Sequence, residues 1–377
     1  MKTFPLVTLV LAAGLRAQAP ATARSTDYLV FVAAEAADRI SLVRFGSAGA
    51  RVEREFPIGV MPTDPDGPHG IAVSPDRRFV YISTAHGTPY GSLWKFDAAT
   101  GQPLARVELG NFPATIALTP DGQFAFIVNF NLHGDPVPSS VSVVETEQMI
   151  EVARVPTCVM PHGSRLNPQG TKQYSACMMD DQVVEIDTRT FAVSRRFNLK
   201  GGAAAGAASA PPPPPDGHAA HGAMPHGPPT CSPTWAQPSA DGSLVYVACN
   251  KANEIVEIDA AAWRITRRLP AGDGVYNLAV TRDGRLLVAT NKRGQSVSLF
   301  DLTSGREVAR IPTSRRIVHG VALSPDDRYA FVSVEGIGAE PGTVEVVDLA
   351  ARKRVASADV GQMAGGIDFW KTEPARP

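Results

Sequence analysis

Eight histidines, four cysteines and eight methionines carry the metal-binding chemistry of this 377-residue sequence, and they recur in a few local settings. His69, His162 and His319 stand in near-identical contexts, PHGIAVS, PHGSRLN and VHGVALS. His218, His221 and His226 crowd with Met224 into HAAHGAMPH, while His86 and His133 lie in TAHGTPYG and NLHGDPVP. Imidazole with thioether suits copper, and imidazole alone also suits zinc, nickel or iron. Three converging imidazoles hold one metal and leave a position open for water or substrate. The plainer role for the same three is to bond backbone or water. The His/Met stretch either captures metal on a tether or is a surface loop. Four cysteines, Cys158, Cys177, Cys231 and Cys249, allow three pairings.

Other chemistries lack their signatures. There is no GxSxG elbow, P-loop, CxxCH haem attachment or HExxH helix, so neither nucleotide nor haem is expected. Lys and Arg total 36 against 37 Asp and Glu, and aromatics are 7%. That balance gives no field or stacking surface for nucleic acid. The expected partner is a small ligand or a protein. Residues 1–23 read as an export signal: Lys2, an apolar run from Phe4 to Ala13, then small residues at Ala17, Ala19, Ala21 and Ala23. No other segment is apolar enough to span a bilayer, so a periplasmic or secreted protein is expected, with the mature domain at 24–377.

These side chains are positioned by a repeat of about 43 residues. GIAVSPDRRFVYIST, TIALTPDGQFAFIVN, SRLNPQGTKQYSAC, AQPSADGSLVYVAC, LAVTRDGRLLVATN and VALSPDDRYAFVSV each read as two apolar strands around a turn. A third strand ending in an acid follows (LWKFD, VSVVE, VVEID, IVEID, VSLFD, VEVVD), then a fourth. With the strands called A to D, A begins near residues 68, 113, 161, 233, 275, 318 and 364. Six blades are complete. The seventh takes strand A from Gly365–Trp370 and strands B to D from Tyr28–Phe56. The predicted fold is all-β: a seven-bladed β-propeller of four-stranded antiparallel blades, its closing blade shared by both termini.

The SPDG-type turn, then YVxxx, then VxxxD at this spacing resembles the YVTN family of β-propellers, grouped with lactonase-like propellers, over residues 28–370. The resemblance implies the fold and admits a lactonase-like hydrolase. Pro-His-Gly is also a common way for this repeat family to begin strand A.

In such a ring the D–A and B–C loops share one face, the top. All eight histidines fall there, as do Met61, Met160, Met178, Met179, Met224, Met363 and the four cysteines; only Met149 falls on the bottom. His69, His162 and His319 open strand A of blades 1, 3 and 6, at the channel mouth. His86, His133, Asp135, Glu335 and Glu340 belong to long B–C loops that wall a top pocket, with Tyr90, Trp235, Tyr276 and Asn277 lining the rest. An insertion at about 200–232 lengthens one D–A loop; its Gly/Ala and Pro runs cannot form a core. Because A and B are antiparallel, Cys158–Cys177 and Cys231–Cys249 are the favoured pairs. Asp97, Asp187, Asp259, Asp301 and Asp348 recur at bottom turns, which marks a capping role. The functional expectation is an exported binding or scaffold propeller with a metal or partner on the top face. The alternative is a metal-dependent, copper-like enzyme with its site at the channel mouth.

Overall fold

The structure is a computed structural model and describes residues 26–61, 63–86, 91–200, the backbone of 204–205, and 228–375. Seven antiparallel sheets form in which each sequence repeat pairs in the order A–B–C–D. Strands A are Pro68–Val73, Pro113–Leu118, Pro161–Leu166, Pro233–Pro238, Val275–Val280, Val318–Leu323 and Ala364–Pro374. The last pairs with Thr26–Ala34, Arg39–Gly46 and Gly49–Pro57 to complete the split blade. Blade 3 gains a fifth short strand, Ala204–Ala205, against Ala192–Asn198.

Alternation along strands B and C buries one apolar set against each neighbouring blade, as in the cluster of Phe31, Phe56, Ile82, Phe96 and Trp370 between blades 7 and 1. The closing blade is fastened by charge as well. Arg44 on strand C is fully buried and binds Asp27 of strand B (3.1 Å), Glu373 of strand A (2.8 Å) and Glu53 of strand D. One guanidinium thus ties the two chain ends.

The bottom turns bear the expected acids in a capping role. Asp97, Asp187, Asp259, Asp301 and Asp348 each accept backbone amides two or three residues on, at 2.7–3.2 Å. Both expected disulfides are present: Cys158, at the end of strand D of blade 2, joins Cys177 at the end of strand B of blade 3, and Cys231, just before strand A of blade 4, joins Cys249 at the end of its strand B. The insertion between them is anchored by Asp181, which is fully buried. Its carboxylate accepts the amides of Thr230, Cys231 and Ser232 at 2.6–3.1 Å. Residues 1–23, Tyr90, His218, His221, Met224 and His226 lie outside the described residues.

Candidate functional site

Every blade carries a β-bulge between the start of strand A and its third or fourth residue, seen as a register shift against strand B. A bulge re-aims side chains, so residues two and three of strand A both border the channel. The second position reads His69, Ala114, His162, Thr234, Tyr276, His319 and Gly365 round the ring. The third reads Gly70, Thr115, Gly163, Trp235, Asn277, Gly320 and Gly366.

A second ring lies just above. In all seven blades the residue after strand B donates its amide to the carbonyl of the residue before strand A: Glu35 to Met363, Ala85 to Gly67, Phe130 to Phe112, Met178 to Met160, Asn250 to Ser232, Lys292 to Gly274 and Glu335 to Ile317. All seven acceptor residues have positive φ, including Phe112 (52°), Met160 (53°) and Ile317 (66°). Repetition in every blade makes this left-handed corner part of the architecture. It sets Glu35, Phe130, Lys292 and Glu335 around the three histidines.

The ring centres of His69 and His162 are 6.0 Å apart, and those of His69 and His319 5.5 Å. All three residues are buried. His162 is held by both nitrogens. Nδ1 lies 3.0 Å from the Thr234 carbonyl, which only accepts, so Nδ1 carries the proton and Nε2 accepts from the Tyr276 hydroxyl at 3.0 Å. His69 Nδ1 lies 2.8 Å from Glu35 Oε2 and is protonated by the same logic, leaving a buried Nε2 with no partner. His319 turns Nδ1 towards Gly365 without a satisfying hydrogen bond and Nε2 towards Glu335 at 3.8 Å.

Burial, helped by the neighbouring Lys292, holds His162 down at about 3, the Thr234 carbonyl offsetting only part. Burial likewise keeps His319 well below the usual histidine range. Both imidazoles are therefore neutral at any ordinary pH. Burial alone would raise Glu35, but His69 and His86 outweigh it and hold the carboxyl well below the usual carboxylate range. Glu35 in turn raises His86, whose Nε2 is 2.9 Å from Oε1. Lys292 pairs with Glu335 at 2.9 Å and rests 4.4 Å from the Tyr276 ring centre. Burial pushes Tyr276 up.

His86 and His133 stack at 5.5 Å and join the mouth through Phe112. Tyr276 and Glu335 stand at the mouth. Trp235 and Asn277 lie one residue deeper and, with His69 and His319, line a cavity of 30 Å³ in the channel. Glu340 folds back onto the Ile337 amide of its own loop and Asp135 is exposed, so neither joins. Glu35 and Lys292 were missed from sequence. Their signal is positional: each is the first residue after strand B, where the seven blades carry six residue types.

A metal at such a mouth needs bare imidazole nitrogens and polar groups fixing their far sides. The Nε2 of His69 and the Glu35 carboxylate behind it meet that requirement. Two imidazoles on one metal, at about 2.0–2.1 Å from nitrogen to metal, have ring centres about 5 Å apart, slightly closer than observed. As the side chains stand, no group of three or more His, Cys, Asp and Glu among the described residues is set to hold a metal ion.

The architecture has known counterparts. The hydrazine synthase of Kuenenia stuttgartiensis superposes with a TM-score of 0.62 and 20% identity, over 81% of this chain and 90% of that one. A functionally unknown protein from Desulfotomaculum acetoxidans gives 0.68 and 16%, over 91% and 98%. At these identities the likeness is one of fold. No family model matches the sequence, and no curated protein does.

Proposed function

We propose that this chain is an exported β-propeller of the YVTN, lactonase-like type whose top-face channel mouth binds one transition metal through His69, His162 and His319. One observation carries the proposal: Glu35 fixes Nδ1 of His69, leaving Nε2 as a buried nitrogen without a partner beside the neutral imidazoles of His162 and His319. A buried unpaired ring nitrogen is costly, and a metal bound there removes that cost. Ligation needs the His69 ring to close on those of His162 and His319 by up to about 1 Å and the Tyr276 hydroxyl to leave His162. Neutral nitrogen ligands favour copper or zinc over calcium or magnesium. Export is supported by the two disulfides, which persist in oxidising compartments. Among the described residues no helix is long and apolar enough to cross a membrane.

Hydrolase chemistry has less behind it. The hydroxyl bonded to a mouth imidazole, that of Tyr276, is pushed towards its protonated form by burial, which weakens it as a nucleophile.

The test is elemental analysis of untagged protein purified without added metal. About one metal per chain, lost with His69→Ala, His162→Ala or His319→Ala, is the expected result. Metal lost only when residues 216–227 are deleted would move the site to the insertion. Metal absent throughout would leave a scaffold.

A further inference from the structure

The lower half of the channel holds charge that the mouth does not use. At the fifth position of strand A four blades present alanine (Ala72, Ala117, Ala279, Ala322), whereas blades 3, 4 and 7 present Arg165, Gln237 and Asp368. Arg165, Gln237, Asp368, Ala279 and Ala322 line a common cavity of 230 Å³. Arg165 also reaches the narrow section above, so it stands between the two compartments.

Each charge is only partly satisfied. Arg165 donates to the Ser164 carbonyl at 3.0 Å and lies 4.5 Å from the Trp235 ring centre. Asp368 accepts the amides of Val73 (2.7 Å) and Phe369 (2.8 Å). The two act on one another through space without closing an ion pair. Burial brings Arg165 down to about 10 and pushes Asp368 up, as happens to charges that lose water without gaining a full partner.

We propose that this lower cavity binds a small zwitterion of amino-acid size, its carboxylate on Arg165 and its amine on Asp368. A metal cation is repelled by the guanidinium, and a simple anion by the carboxylate. A ligand carrying both charges compensates both walls at once. The alanines keep the space open. A volume of 230 Å³ is below the ~300–1,000 Å³ typical of drug-sized ligands, which sets the size class. Arginine suits the carboxylate end because its planar fork matches two oxygens.

The experiment is calorimetric titration of full-length, EDTA-treated protein with glycine, β-alanine and γ-aminobutyrate, and with acetate and methylamine as single-charge controls. EDTA separates the outcome from that of the metal site. At least one amino acid is expected to bind, with each single-charge control at least about tenfold weaker. Arg165→Met and Asp368→Asn should each weaken binding by about tenfold or more. Ala279→Leu, which fills the cavity without touching a charge, should abolish it and serves if a charge variant does not fold. No amino-acid binding, equal binding of acetate, or binding that survives Ala279→Leu would overturn the proposal.

Discussion

The two ends of the ring are cut from one repeat and do opposite work. At the bottom the same acid returns blade after blade to cap an exposed turn, as Asp97, Asp187, Asp259, Asp301 and Asp348 do. At the top the backbone is just as regular, with seven equivalent hydrogen bonds and seven left-handed corners, yet six residue types share the seven equivalent positions. Glu35, Ala85, Phe130, Met178, Asn250, Lys292 and Glu335 occupy one equivalent position. Where backbone and side chain repeat together, the side chain serves the fold. Where the backbone repeats and the side chain does not, the fold is settled and the side chains are free for chemistry.

The largest effect expected is structural and leaves the mouth alone. Arg44→Met removes the buried guanidinium that Asp27, Glu53 and Glu373 share at the seam of the split blade and should cost about 3–5 kcal/mol. Denaturant unfolding measures it, and bound metal should not change. Next come the disulfides. Cys231→Ala with Cys249→Ala opens a loop of 18 residues and should cost about 3 kcal/mol, with faster hydrogen exchange at the top of blade 4 but not at its bottom.

Glu35→Gln inverts the Arg44 result. The amide preserves the contact with His69 but not the charge, so metal affinity should fall about 10–100-fold while the loss of stability stays smaller than that of Arg44→Met. A large loss of stability with unchanged affinity would erase the distinction between the two ends.

Acid gives the gentlest test. His162 and His319 have folded pKa values below the unfolded value, so the unfolded chain takes up protons first as pH falls. Their contribution is intact above about 6.5 and is lost below it, at about 1.4 kcal/mol per pH unit for each, down to about 3 for His162. Asp121, Asp241 and Asp283 at the bottom are held low, first of all by neighbouring hydroxyls. Their contribution is present above about 4 and is lost only as pH falls through their lowered values. Stability measured from pH 7.5 to 5 should therefore decline through His162 and His319 below about 6.5, while His86, which is raised, acts with the opposite sign above it, and His162→Gln should flatten the decline.

The fold was legible because its determinants are repetitive: the alternating strands, the SPDG-type turns and the acid ending strand C mark six of the seven blades, and the missing strand A at one end matched the surplus at the other. The disulfides were legible because antiparallel strands bring Cys158 to Cys177 and Cys231 to Cys249. The histidines could be sorted to one face for the same reason. The sequence hid the bulge, which turns two successive residues of strand A inward and so places Trp235 and Asn277 beneath the mouth. Glu35 and Lys292 were hidden too, since the residue after strand B follows no seven-fold pattern, Glu recurring there only at Glu335.

The most direct test of a metal at the mouth is an anomalous difference map, recorded at the metal edge from crystals of untagged protein grown after copper or zinc loading. The account predicts a single strong peak about 2.0–2.2 Å from nitrogens of His69, His162 and His319. A well-ordered mouth with no peak, or peaks confined to other parts of the surface, would contradict it.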